Sequence, residues 1–218
     1  MASGPIFGTR FVHKAIRKET QELEAMARTL DAGGVDALAE RFARAVSFFH
    51  AHTAGEEGAL FPALDERAPG HGAHYEADHV VENALLDDVG ALIESARTDL
   101  DAARPELQRK LVALAHHADL HIQKEDEIVL PLVAKHFSPP EQGAIVGGIM
   151  KHVPPPVLAA MVPWILNALD LDDKATFVGN LERGMPGPVF DKAKGWIQGG
   201  IPASDWAALV QRAPSLSA

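Results

Sequence analysis

Two stretches of this chain repeat one another at positions where a protein core tolerates little polarity. His52 is followed by Glu56 four residues on, by a second acid at Glu57 and by Pro62 ten residues on, and His121 is followed by Glu125, Asp126 and Pro131 at the same intervals. Both stretches sit in helical patterns. Registered at alternating steps of three and four, the first reads Leu38, Phe42, Ala45, Phe49, His52, Glu56, Ala59, Ala63, and the second Leu107, Leu111, Leu114, Ala118, His121, Glu125, Ile128, Leu132. Each apolar stripe is broken by one imidazole and one carboxylate. An ionised glutamate on a core stripe costs on the order of several kcal/mol unless it is paired or metal-bound, so two at equivalent places point to one shared compensation.

The rest of the chain supplies the frame for that compensation. Ala and Leu abound, β-branched and aromatic residues are scattered, and strict two-residue alternation is missing, so helical templates fit and strand templates fail. Turn signals at Gly33-Gly34, at Ala68-Pro69-Gly70 and around Thr98 to Pro105 divide residues 1–137 into four long helical segments. The spacing predicts an all-α fold: an up-down-up-down four-helix bundle over 1–137, made of two copies of one helical hairpin. Pro62 and Pro131 fall inside helical patterns, where each is expected to kink or weaken the last turns. Over 138–218 a C-terminal extension of about four short helices is expected to pack on the bundle. It begins at the capping box Ser138-Pro139-Pro140-Glu141, and Trp164, Trp196 and Trp206 are expected to anchor a small core or lid.

In an antiparallel bundle, residues equally far from a shared turn lie at one height. His13 precedes Gly33 by 20 residues, while His52 and Glu56 follow Gly34 by 18 and 22; His79 precedes Asp101 by 22, while His121 and Glu125 follow Ala102 by 19 and 23. Across the middle turn the mismatch between Glu56 and His79 is three residues, about 4.5 Å of helix rise. Four histidines and two glutamates therefore converge on one layer. Imidazoles with carboxylates suit iron or manganese, two glutamates suit bridging between two ions, and zinc accepts the same donors. The ferritin-like pattern needs two Glu-x-x-His motifs on separate helices; the sequence has a single one, Glu76-Ala-Asp-His79, which rejects that pattern.

Composition removes other chemistries. The chain has no cysteine, so disulfides, thiolate metal sites and cysteine nucleophiles are absent. With 20 Lys plus Arg against 30 Asp plus Glu, the formal charge of −10 argues against nucleic acid or an anionic lipid surface as partner. The amino end lacks a signal-peptide core, and the apolar stretch from Val157 to Leu169 is too short to span a bilayer and is broken by Pro163. A cytoplasmic protein is the expectation.

The order His13, His52-x-x-x-Glu56, His79, His121-x-x-x-Glu125, with Leu60-Phe61-Pro62, resembles the signature of hemerythrin-like cation-binding domains. The resemblance covers residues up to about 137. It implies a non-haem centre of two iron ions, oxo- or hydroxo-bridged, with Glu56 and Glu125 bridging; His13 and His52 would serve one iron, His79 and His121 the other. Members of that family carry or sense dioxygen, sense iron, or react with nitric oxide or peroxide. Oxygen-carrying hemerythrins have HxxxH on the third helix, whereas here Tyr75 stands four residues before His79. Tyr75, the chain's single tyrosine, is thus a candidate seventh ligand; the alternative is a core tyrosine whose hydroxyl bonds Glu82 or a metal-bound water. A phenolate favours ferric iron and hence peroxide or nitric oxide chemistry. The expected partner is a small diatomic or peroxide ligand, and the competing expectation is non-catalytic dioxygen or iron binding and sensing.

Overall fold

The computed structural model describes residues 4–217, and no strand occurs among them. A 3-10 turn, Pro5–Thr9, leads into helix α1 (Arg10–Arg28), which turns at the Asp31 cap into α2 (Val35–Gly55). Helix α2 continues through a wide turn, Glu56–Leu60, into α3 (Phe61–Arg67). The second hairpin is α4 (Gly72–Ala96) and α5 (Leu100–Lys124), and α5 continues through a wide turn, Glu125–Val129, into α6 (Leu130–His136). Helix α1 packs on α2 and α5, and α4 packs on α5 and α2, which closes the four-helix bundle.

Both wide turns are π-helical, and both end two residues before a proline. The Phe61 amide donates to the Glu56 carbonyl and the Leu130 amide to the Glu125 carbonyl, five residues back in each case. Proline lacks a donor and collides with the carbonyl four residues behind it. The expected kink is thereby replaced: an extra residue in the preceding turn moves the carbonyl out of the ring's way and keeps the rod continuous.

Two apolar clusters fill the bundle. One contains Ile16, Phe49, Leu86, Leu114, Ala118 and Ile122; the other contains Ile6, Leu60, Phe61, Leu64, Tyr75, Val129 and Val133. On α2 with its wide turn and on α4 the buried histidine and glutamate fall between the two. Along α4, for example, Tyr75 belongs to the second cluster and Leu86 to the first, with His79 and Glu82 in between.

Beyond Phe137 there are five helices rather than about four: α7 (Pro139–Lys151), α8 (Pro155–Asn167), α9 (Leu171–Gly184), α10 (Gly187–Gly200) and α11 (Ala203–Arg212). The Asp170 cap, whose side chain accepts from the Asp173 amide, makes the additional break. The core here is Phe177, Leu166, Val178, Ile197 and Leu209 with Phe11 from α1, and Trp196 and Trp206 lie at its half-buried margin. Trp164 does anchor the extension. Its indole packs 4.7 Å from Phe48 and donates to Glu19 of α1 at 3.0 Å. No single helix of the described residues is long and apolar enough to cross a membrane.

Candidate metal centre

Each wide turn starts at a glutamate of the repeat. Glu56 and Glu125 sit where a helix changes winding, one turn beyond His52 and His121, so each His-Glu pair enters the bundle from one rod. His13 on α1 and His79 on α4 complete the layer, and all six side chains are nine-tenths or more buried.

Their donor atoms form two groups that share both carboxylates. His13, His52, Glu56 and Glu125 place one atom each within 4.8 Å of one another, and so do His79, His121, Glu56 and Glu125. Glu56 presents Oε1 to His52 Nε2 and Oε2 to His79 Nε2, both at 3.4 Å. Glu125 presents Oε2 to His13 Nε2 and Oε1 to His121 Nε2, again at 3.4 Å. Each carboxylate thus faces one imidazole of either group.

The outer ring nitrogens explain why Nε2 faces inward. Asp126 lies 2.8 Å from His13 Nδ1, Glu57 lies 2.9 Å from His79 Nδ1, and Asp78 lies 3.2 Å from His121 Nδ1. An ionised carboxylate can only accept, so these contacts assign the ring proton to Nδ1 and leave the Nε2 lone pair for a metal. Burial alone would raise Asp126 and Asp78, yet bonds from His13 and Arg17 hold the first low, and bonds from Lys124 and His121 hold the second low. With both outer nitrogens protonated, His79 and His121 turn two lone pairs toward each other across 3.1 Å. A cation between them resolves that opposition.

The inner atoms lack other partners. Nε2 of His13, Nε2 of His52, Oε2 of Glu56 and both oxygens of Glu125 are buried without a hydrogen bond. Unpaired polar atoms in such a place are expensive, and cations held by the two donor groups would satisfy them. Burial, with help from neighbouring carboxylates, pushes Glu56 and Glu125 well above the usual carboxylate range. Burial likewise pushes His52 well down and His121 down to about 4. The metal-free layer therefore prefers neutral groups, whereas a cation inverts that preference and holds both glutamates ionised. The donor set fits metal.

Tyr75 lies in the apolar cluster beside the layer. Its ring centroid is 6.0 Å from that of His121, and its hydroxyl makes a long, 3.5 Å bond to the Lys124 carbonyl rather than to Glu82. Burial, then Glu125 and Asp78, raise the phenol to about 12. Glu82 is buried one turn beyond His79 and outside both groups, and burial raises it to about 7. Of the remaining histidines, His117 donates from Nε2 to the Asp78 backbone carbonyl at 2.9 Å, and His74 is exposed.

The outer acids had no assigned role in the sequence. Glu57 and Asp126 were visible as the second acid of each repeat, but each reaches a histidine of the opposite hairpin, and Asp78 adjoins His79 while serving His121.

The profile of the hemerythrin HHE cation binding domain matches residues 8–133. Three Arabidopsis thaliana proteins are similar to the chain. Zinc finger protein BRUTUS is 31% identical over 172 residues, covering 78% of this chain and 14% of its own length. Zinc finger proteins BRUTUS-like At1g18910 and BRUTUS-like At1g74770 are 27% and 25% identical, each match covering 80% of this chain and 14% of the relative. The chain thus spans about 14% of the length of these relatives. No solved structure matches it.

Proposed function

This chain belongs to the hemerythrin HHE cation-binding family, and from that premise we propose that it holds two iron ions and reacts with a small oxidant, hydrogen peroxide or nitric oxide. The observation that carries the reading is the sharing of Glu56 and Glu125 between two sets of donors, with four Nε2 atoms each 3.4 Å from a carboxylate oxygen. His13 and His52 would bind one ion and His79 and His121 the other, with both glutamates bridging. Tyr75 would join the second ion as phenolate once its proton is displaced. The pair of irons, when bound, exchanges electrons with the oxidant.

The chain's own groups do the rest. Asp126, Glu57 and Asp78 hold three rings in the metal-binding tautomer. The two apolar clusters keep bulk water from either end of the layer, which strengthens the charge interactions inside it. Glu82 holds a proton near neutral pH one turn from His79.

A second reading, non-catalytic iron or dioxygen sensing, is favoured by the packing of α7 on the wide turn of Glu56. A Cβ on Gly55 would lie 2.6 Å from Ile149, and one on Gly148 would lie 2.9 Å from Ala59 Cβ. The extension therefore rests directly on a metal-bearing turn and could report its state. Peroxide consumption or nitric oxide reduction by the iron-loaded chain supports the first reading; a reversible spectral change under oxygen without turnover supports the second. Iron content unchanged by His52→Ala or Glu125→Ala overturns the centre itself.

A further inference from the structure

The two hairpins are copies, and the places where the copy fails favour one half of the layer. With His13 set on His79 and His52 on His121, Val12 stands where the second hairpin has Asp78, and Ile16 where it has Glu82. Three histidines have a carboxylate behind them: Asp126 behind His13, Glu57 behind His79 and Asp78 behind His121. His52 has none among the described residues, its near contact being Glu56 on the metal side. Val12 is instead engaged in apolar packing with the cluster of Phe48 and Ala51.

Local charge points the same way. Asp126, behind His13, is shared with Arg10 at 3.5 Å and Arg17 at 3.2 Å, and Arg17 also bonds Asp119. Behind His79 and His121 stand Glu57 and Asp78 against Lys124 alone. A cation between His79 and His121 meets two buttressed rings and an excess of acid. One between His13 and His52 meets one buttressed ring and an acid already matched by guanidinium groups.

We propose that the two metal positions are unequal: the His79/His121 position fills first and holds its ion about 10–100-fold more tightly, and the His13/His52 position is the exchangeable one, whose occupancy follows metal supply. The inference rests on the two-ion reading above. It assigns Asp78 and Glu57 as positioning residues that set affinity through His121 and His79.

The test is anaerobic titration of the metal-free full chain with Co(II) alone, read by cobalt d–d absorption and by retention against a chelator. Two ions should bind in steps at least about tenfold apart. Asp78→Asn and Glu57→Gln, both at partly exposed side chains, should weaken the tight step about 10–100-fold and leave the weak one in place. His52→Ala should keep one ion at the tight affinity. Two equal steps, or Asp78→Asn weakening only the loose step, overturn this inference while leaving the two-ion reading intact. Saturation of the native chain below two ions overturns both.

Discussion

The Nε2 atoms of His79 and His121 stand 3.1 Å apart, each ring anchored behind by its own carboxylate, Glu57 for one and Asp78 for the other. Two lone pairs held face to face repel unless a cation joins them. Removing metal should therefore lower stability, and restoring it should raise stability by RT ln(1 + [L]/Kd), about 2.7 kcal/mol at a hundredfold excess over Kd. Thermal melts with and without chelator check this; melting temperatures that coincide contradict it.

Glu82 makes the metal-free protein lose stability as pH rises from the acid range to neutrality. Burial raises its carboxyl from the ordinary 4.5 to about 7. A group raised on folding gives its full stabilisation below the unfolded value and loses it as pH climbs through the folded one. The loss should develop between 4.5 and about 7 and amount to about 3 kcal/mol. His121 works in the opposite sense: held at about 4 against 6.5, its contribution is present above 6.5 and lost as pH falls through 4. Glu82→Gln should flatten the loss on raising pH toward neutrality and leave the acid loss through His121, measured as urea midpoints of metal-free protein near about pH 5 and about pH 8.

Tyr75 is distinguishable by colour. With its phenol raised to about 12, the tyrosine ligates only if a ferric ion displaces the proton. Ferric protein should then show a phenolate-to-iron charge-transfer band that Tyr75→Phe abolishes. Persistence of the band in the variant removes Tyr75 from the ligand set.

The seam between α7 and the wide turn is equally open to test. Gly148→Val puts branched carbon where a Cβ alone would already lie 2.9 Å from Ala59. The substitution should cost about 1–3 kcal/mol through overpacking. If the seam supports Glu56, iron retention against chelator should also fall, whereas an equally destabilising change within the α9–α11 core should leave retention unaltered.

The six buried polar positions were legible because each violates an otherwise apolar helical stripe, and chain distance from the turns placed them at one height. The bundle's four rods followed from the same periodicity. The acids behind the histidines were not legible in role: Glu57, Asp126 and Asp78 occupy outward-leaning positions that read as ordinary surface charge, and each acts on a ring from another helix. The wide turns escaped for a different reason. Pro62 and Pro131 signal a disturbance, but a kink and a π turn relieve the same collision, and local sequence does not choose between them. In the extension, the marginal placement of Trp196 and Trp206 depended on contacts distant in sequence.

The extra residue in each π turn also sets a phase. A π turn takes one more residue than an α turn, so it absorbs that residue and returns Leu60, Phe61 and Leu64 to the buried face, one position beyond the Ala59 and Ala63 that strict helical spacing from Glu56 would bury. A further insertion between Glu56 and Pro62 would swing those three side chains by roughly 100° and should be far less tolerable than a substitution, because Glu56 and the apolar cluster of Phe61 are held in phase by that one turn.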